Sequence, residues 1–174
     1  FLSDSKLVNQ GYVYSYEAFA IAFAENNAKI TNKETGVING QQAGAYIATA
    51  AGCGSCHTAP GGEPYAGGLV LRTPFGPLAT PNITSDPQTG IGSWTEADFE
   101  GALRRGIDDE GEPLYPGMPY LHYTQMTDAD IAALWQYVRG IPPVDTAVEV
   151  NRLPFPFNVR ASLYVWRALY FDEG

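Results

Sequence analysis

Four stretches of the chain repeat apolar residues at the three- and four-residue intervals that gather them on one side of a helix. The first, Gln41 to Ala51, has Ala43, Ile47 and Ala50 on one side and Gly44 open to a close neighbour, and Gly52 stops it. The second runs from Glu96 to about Gly106, where Thr95 and Asp98 have the spacing of a capping box and Trp94 and Phe99 that of a hydrophobic staple. The third, Asp128 to Arg139, presents Ile131, Leu134, Trp135 and Val138, with Thr127 as N-cap, Met126 and Ile131 as staple and Ile141-Pro142-Pro143 as stop. The fourth, Val159 to Phe171, is capped by Asn158 and carries the stripe Val159, Leu163, Trp166 and Tyr170. Helices 41–51 and 128–139 are expected to cross, Gly44 admitting the ring of Trp135 or Tyr137. A stripe as apolar as the fourth is expected to pack on protein.

The intervening stretches have no such period. Residues 58–93 are punctuated by Pro60-Gly61-Gly62, Gly67-Gly68, Pro74-Phe75-Gly76-Pro77 and Pro81-Asn82, and read as a long ordered loop. A loop of that length needs a reason. From Tyr14 to Asn26, Phe19, Ile21 and Phe23 are spaced too evenly to decide between helix and strand, and Thr31 to Gly40 reads as a turn-rich connector. The longest apolar run, Ala18 to Ala24, is too short to cross a bilayer, so no transmembrane segment is expected.

Composition narrows the partners. A net charge of −9 argues against nucleic acid and anionic lipid and favours a partner that is basic where it docks. Aromatic residues make up 13% of the 174, which suits a chain that must enclose a large apolar ring.

The candidate ring follows from Cys53-Gly54-Ser55-Cys56-His57, the attachment signature of a c-type haem. Each thiol bonds one vinyl group, and the adjacent imidazole ligates the iron. A structural zinc site needs four ligands, yet the chain has two cysteines and two histidines, and His122 lies far downstream. A thioredoxin-type pair would sit in a βαβ pattern and needs no histidine after its second cysteine. One motif means one covalent haem c. Enclosing it is reason enough for the long loop.

The sixth ligand decides what such an iron does, because a His/Met pair raises the potential and closes the iron, whereas an open position allows ligand chemistry. The candidates are Met118, Met126 and His122. Met118 sits in Leu114-Tyr115-Pro116-Gly117-Met118-Pro119-Tyr120, whose prolines and glycine favour a rigid loop, so it is assigned to iron. Met126 is assigned to packing by its staple, and His122, among tyrosines, to hydrogen-bonded packing. The site residues are therefore Cys53, Cys56, His57 and Met118, with His57 and Met118 as metal ligands and no catalytic residue. The acidic run Asp108, Asp109, Glu110 and Glu112, just ahead of Met118, is a candidate docking surface. Covalent haem attachment takes place outside the cytoplasmic membrane in bacteria, and a start at Phe1 suits removal of a signal peptide or anchor, or a chain trimmed from a longer one. A periplasmic setting is expected, free or anchored to the membrane or a membrane complex.

Ala51-Gly52-Cys53 through His57-Thr58-Ala59-Pro60-Gly61-Gly62, Thr73-Pro74-Phe75-Gly76, Asn82-Ile83-Thr84, Thr89-Gly90-Ile91-Gly92 with Trp94, the Met118 loop, and Pro156-Phe157-Asn158-Val159-Arg160 with Trp166-Arg167 carry a family resemblance. Together they resemble the c-type cytochrome domains of cytochrome subunits of periplasmic, membrane-associated dehydrogenases that oxidise alcohols, gluconate and other sugars. The resemblance implies the same four site residues in the same roles. It implies an electron-transfer protein, not itself an enzyme, that is the electron-accepting subunit or partner of a periplasmic dehydrogenase or respiratory complex. The rival expectation is a haem enzyme or ligand sensor with a labile sixth ligand. Many family subunits string three haem domains together, and this chain departs from them with one motif. The expected fold is mostly α, class I cytochrome c-like, with long haem-wrapping loops and extra N- and C-terminal segments. Its expected parts are an N-terminal extension 1–40, a monohaem cytochrome c domain 41–145 and a C-terminal extension 146–174 with a helix.

Overall fold

The computed structural model describes residues 6–9, 12–15, 40–149, 151 and 153–172. In chain order it has a hairpin of β1 (Lys6–Asn9) and β2 (Tyr12–Ser15), helix α1 (Gly40–Ala50), a single helical turn α2 (Cys53–Cys56), and a second hairpin of β3 (Val70–Thr73) and β4 (Gly76–Ala79). Helix α3 (Glu96–Glu100) continues as a π-helical turn, Gly101–Arg105, and is followed by a 3-10 turn at Tyr120–His122, then α4 (Asp128–Arg139) and α5 (Ser162–Tyr170). The described residues are thus mostly helical with few strands. The first hairpin pairs Lys6 with Ser15 and Asn9 with Tyr12. Tyr14 and Ser15 are strand, and the remaining expectations for residues 16–39 lie outside the described residues.

The crossing of α1 and α4 organises the core. Gly44 is where it is closest: a Cβ there would lie 2.0 Å from the Ala133 carbonyl and 2.6 Å from Tyr137 Cβ. Ala133 and Tyr137 are one turn apart, so both face α1. Trp135 faces elsewhere, tilted over Phe99 at 5.2 Å between ring centroids. The buried stripe of α1 is accordingly Gly44, Ile47 and Ala48, not Ala43, Ile47 and Ala50, since the face is set by the closest approach. Ile47, Ala48, Ile131, Leu134 and Val138 join Ile91, Phe99, Leu103 and Ile141 in one cluster.

The helix starts behave as their sequences require. The side chains of Thr95 and Thr127 each accept a bond from the backbone N–H three residues on, and Asp98 and Asp130 in turn accept from the N–H of the cap. Helix α3 departs from regularity at its end, where Gly106 (φ 59) closes the π turn and its missing Cβ makes room for the Tyr120 ring, 2.7 Å from where that atom would be. Arg104 stitches this turn to the start of α4, pairing with Glu100 at 2.8 Å and Asp128 at 2.7 Å and donating to the Met126 carbonyl.

Further expectations change. Residues 58–93 are not unbroken loop, because β3 and β4 pair from Val70–Ala79 to Thr73–Gly76. The Thr73 hydroxyl locks their turn by donating to Gly76 O at 2.7 Å and accepting from Phe75 N at 3.2 Å. The last helix starts at Ser162 without a side-chain cap, because turns through Asn158 N on Pro154 O and Ser162 N on Val159 O delay the start until Ala161, which has no side-chain oxygen to offer, is at the cap position. Of its expected stripe only Leu163 is buried, while Val159 is 44% and Tyr170 69% exposed. Val165 and Leu169 are exposed as well.

Candidate haem site

Gly52 ends α1 in the left-handed conformation (φ 75), which only glycine adopts without cost, and the chain turns at once into α2. One helical turn then places Cys53 and Cys56 side by side, and His57 follows as its C-cap, its N–H bonded to Cys53 O at 2.8 Å. The two thiols are not joined to each other. Burial, the larger effect, and the charge of Cys56 push the Cys53 thiol up to about 11. That is the reverse of a thioredoxin-type nucleophile, whose thiol is lowered.

The orientation of His57 is fixed from across the fold. Gly67 N donates to His57 O at 2.8 Å, and Thr58 bridges Gly67 in parallel. Gly67 in turn lies against the backbone of residues 80–82, so close that a Cβ would sit 2.5 Å from Pro81 C. The third side closes the triangle: His57 Nδ1 is 2.8 Å from Pro81 O. A carbonyl can only accept, so Nδ1 carries the proton and Nε2 keeps its lone pair, as a metal ligand must. Burial lowers the His57 pKa, with the Pro81 bond opposing it, which further favours the neutral ring.

The Pro81 carbonyl is held by a network of its own. Asn82, 2% exposed, donates to Val144 O at 2.8 Å and Thr89 Oγ1 at 3.1 Å and accepts from Thr84 N at 2.9 Å. Thr84 accepts from Val144 N at 3.2 Å, and Ser85 donates to Ile141 O at 2.6 Å. The segment that leaves α4 therefore pins residues 82–85, and with them the orienter of His57. Pro81, Gly67 and Asn82 were absent from the sequence-derived site. Pro81 acts through its backbone and has no side-chain signature, and the burial of Asn82 is visible only in the fold, but the Gly67-Gly68 pair gave a signal of close approach that could have been followed.

Cys53, Ile83, Met118, Tyr123 and Met126 all pack against the α1–α4 core while remaining half-exposed. Tyr123 also donates to Ala51 O at 2.9 Å, tying the Met118–Met126 stretch to the start of the motif. Cys53, Met118 and Met126 are thus brought to one core. His122 does not pack with them; it is exposed at the end of the 3-10 turn. The donor set fits a c-type haem: two adjacent thiols for attachment, an imidazole with one nitrogen anchored and one free, and thioether sulfur beside an apolar wall.

The acidic run does not stand free as a unit. Asp108 accepts at one oxygen from Glu110 N (3.2 Å) and Glu112 N (2.7 Å) and at the other from Arg160 (2.9 Å). Its carboxylate shapes the loop, leaving Asp109 and Glu110 as the exposed charges.

Residues 41–142 match the family model described as Cytochrome c. The chain is similar to the gluconate 2-dehydrogenase cytochrome c subunit of Pantoea cypripedii, 41% identical over 131 residues, 75% of this chain and 30% of that subunit. It is 37% identical to the alcohol dehydrogenase (quinone) cytochrome c subunit of Gluconacetobacter polyoxogenes over 158 residues, 90% of this chain and 33% of that subunit. It is 42% identical to the fructose dehydrogenase cytochrome subunit of Gluconobacter japonicus over 133 residues, 75% of this chain and 27% of that subunit. The chain spans about a third or less of the length of these relatives.

Proposed function

The chain belongs to the cytochrome c family, and on that premise we propose that it is an electron-transfer domain with one haem c, bound through Cys53 and Cys56 and ligated by His57 and Met118. The observation that carries the proposal is the bond from His57 Nδ1 to Pro81 O, which presents a neutral nitrogen beside the two attachment thiols. Bound haem supplies a one-electron iron couple. The protein's own work is to fix the imidazole, to keep apolar side chains around the ring and to supply a thioether that closes the iron. The single Cys-X-X-Cys-His motif supports one haem per chain.

Assembled holoprotein is expected to contain one iron per chain, to be reduced and reoxidised reversibly by one electron, and to bind carbon monoxide only slowly when reduced. Metal analysis, a redox titration and a reduced-state spectrum under carbon monoxide test this together. Rapid carbon monoxide binding by the unmodified protein would instead support a ligand sensor or haem enzyme.

The named relatives suggest a cytochrome component that receives electrons from a dehydrogenase partner, and a periplasmic setting, free or held at the membrane, is our own reading from where bacteria attach haem c. The net charge of −9 supports a partner that is basic at its docking site. Asp109 and Glu110 are the exposed part of the acidic run. Converting both to amides should slow reduction by hexaammineruthenium at low ionic strength and speed reaction with ferricyanide, with both effects fading as salt is added. Equal responses to the two reagents would place the electron's exit away from this loop.

A further inference from the structure

The loop that carries Met118 is held from outside itself. Ahead of Met118, Arg160 Nε donates to Pro113 O at 3.2 Å while its Nη2 pairs with Asp108 at 2.9 Å. Tyr115 donates its hydroxyl to Phe157 O at 3.1 Å. Beyond Met118, the fully buried Tyr120 meets the Phe171 ring edge-on at 5.5 Å, and Arg167 covers that same ring at 4.4 Å while donating to Arg105 O. Met118 itself is bonded to the two residues so gripped: its N–H reaches Tyr115 O at 3.2 Å, and its carbonyl accepts from Tyr120 N at 2.9 Å.

We infer that the C-terminal segment from Phe157 to Phe171 is a strap that keeps Met118 on the iron, with Arg160 as its main positioning residue. The inference rests on Met118 being the sixth ligand. A thioether is neutral and binds through one sulfur, so its occupancy depends on how well the chain holds it in place. Between Gly111 and Pro119 the loop has no helix, and its own backbone order is the isolated bridge of Pro113 with Ile107 and the turn in which Met118 N bonds Tyr115 O. Every residue released there regains conformational freedom and favours the open iron. The strap opposes that release on both sides of the ligand. Arg160 suits its role because a guanidinium fork addresses a carboxylate and a carbonyl at once, which an ammonium on a flexible stem does less well. The carboxylate it uses is itself fixed by two backbone N–H groups, so the strap grips an ordered point.

The test uses the holoprotein with Arg160→Gln, Arg160→Lys, Tyr115→Phe and Met118→Ala. The readouts are the weak far-red band of a Met-ligated oxidised haem and the rate of carbon monoxide binding to the reduced protein, with thermal midpoint and haem content as controls. Arg160→Gln should weaken the band and speed carbon monoxide binding roughly three- to tenfold, the effect of losing one or two half-exposed hydrogen bonds. Tyr115→Phe should shift both the same way by less, and Arg160→Lys should recover part of the wild-type behaviour. A merely structural contact would lower the midpoint and leave band and rate unchanged. If wild type shows the band, Met118→Ala loses it, and both Arg160→Gln and Tyr115→Phe keep the wild-type band and rate, the strap is wrong and the ligand assignment stands. If wild type has no band, or Met118→Ala retains it, the ligand assignment fails and the strap falls with it. Should Arg160→Gln not fold, Tyr115→Phe decides alone.

Discussion

Replacing Met118 by alanine should abolish the far-red band, open the reduced iron to carbon monoxide and lower the potential by on the order of 0.1–0.3 V, a fraction of the roughly 0.8 V that axial ligands span. The fold should survive. Met118 is half-exposed, and the truncated side chain costs only part of the roughly 2–5 kcal/mol of a fully buried Met-to-Ala change. Met126 is the informative comparison, since it packs against the same core and is likewise partly buried. It serves the α4 start, and its carbonyl is engaged by Arg104. Met126→Ala should therefore lower stability and leave the iron closed. His122→Ala should change neither, because that imidazole is exposed. An iron that opens in Met126→Ala and stays closed in Met118→Ala would reassign the sixth ligand.

Gly44→Ala sets two effects against each other. In an isolated helix the change would be favourable by about 1 kcal/mol, because glycine gives up more backbone freedom than alanine. Here the new Cβ would lie 2.0 Å from the Ala133 carbonyl oxygen. That neighbour is backbone, so no rotamer change relieves the clash and the two helices must move apart. Overpacking of this kind typically costs about 1–3 kcal/mol and more when the obstacle is rigid, so we expect a net loss of about 2 kcal/mol and a midpoint lowered by roughly 5 °C. The effect should reach the haem site, because α1 delivers Gly52 and the attachment turn. Chemical denaturation checks the first part. A midpoint at or above that of wild type would mean the helices do not cross as closely as described.

Much of the site was legible in the sequence because it is local. Cys53, Cys56 and His57 lie on one helical turn and its C-cap, and the spacing that gives the motif its chemistry also gives it its geometry. The same holds for α4, whose bounds follow from Thr127, Asp130 and the prolines after Ile141, and for the capping box at Thr95. These depend on hydrogen bonds between residues three or four apart. The α1 stripe was harder to read: alanine is compatible with either face, and only the partner helix selects Gly44, Ile47 and Ala48. The β3–β4 hairpin was hidden by glycines and prolines that read as loop, although Thr73 shows how a side chain can tie such a turn.

What the sequence by itself determined was the haem chemistry, the helical segments on either side of it and the pair of helices that had to cross. Only the tertiary structure decided what holds those parts in relation to one another. The anchor of His57 is a carbonyl 24 residues away, reached because Gly67 lets two backbones touch, and the pins on residues 82–85 come from beyond α4. Asp108 reads as one more charge in an acidic run until Arg160, 52 residues later, is seen to bond it. The fourth helical stripe was real as a pattern, but burial belongs to the assembled surface, and only Leu163 found a place in it. Backbone acceptors and long-range partners leave no period along the chain, because what selects them is proximity in the folded molecule.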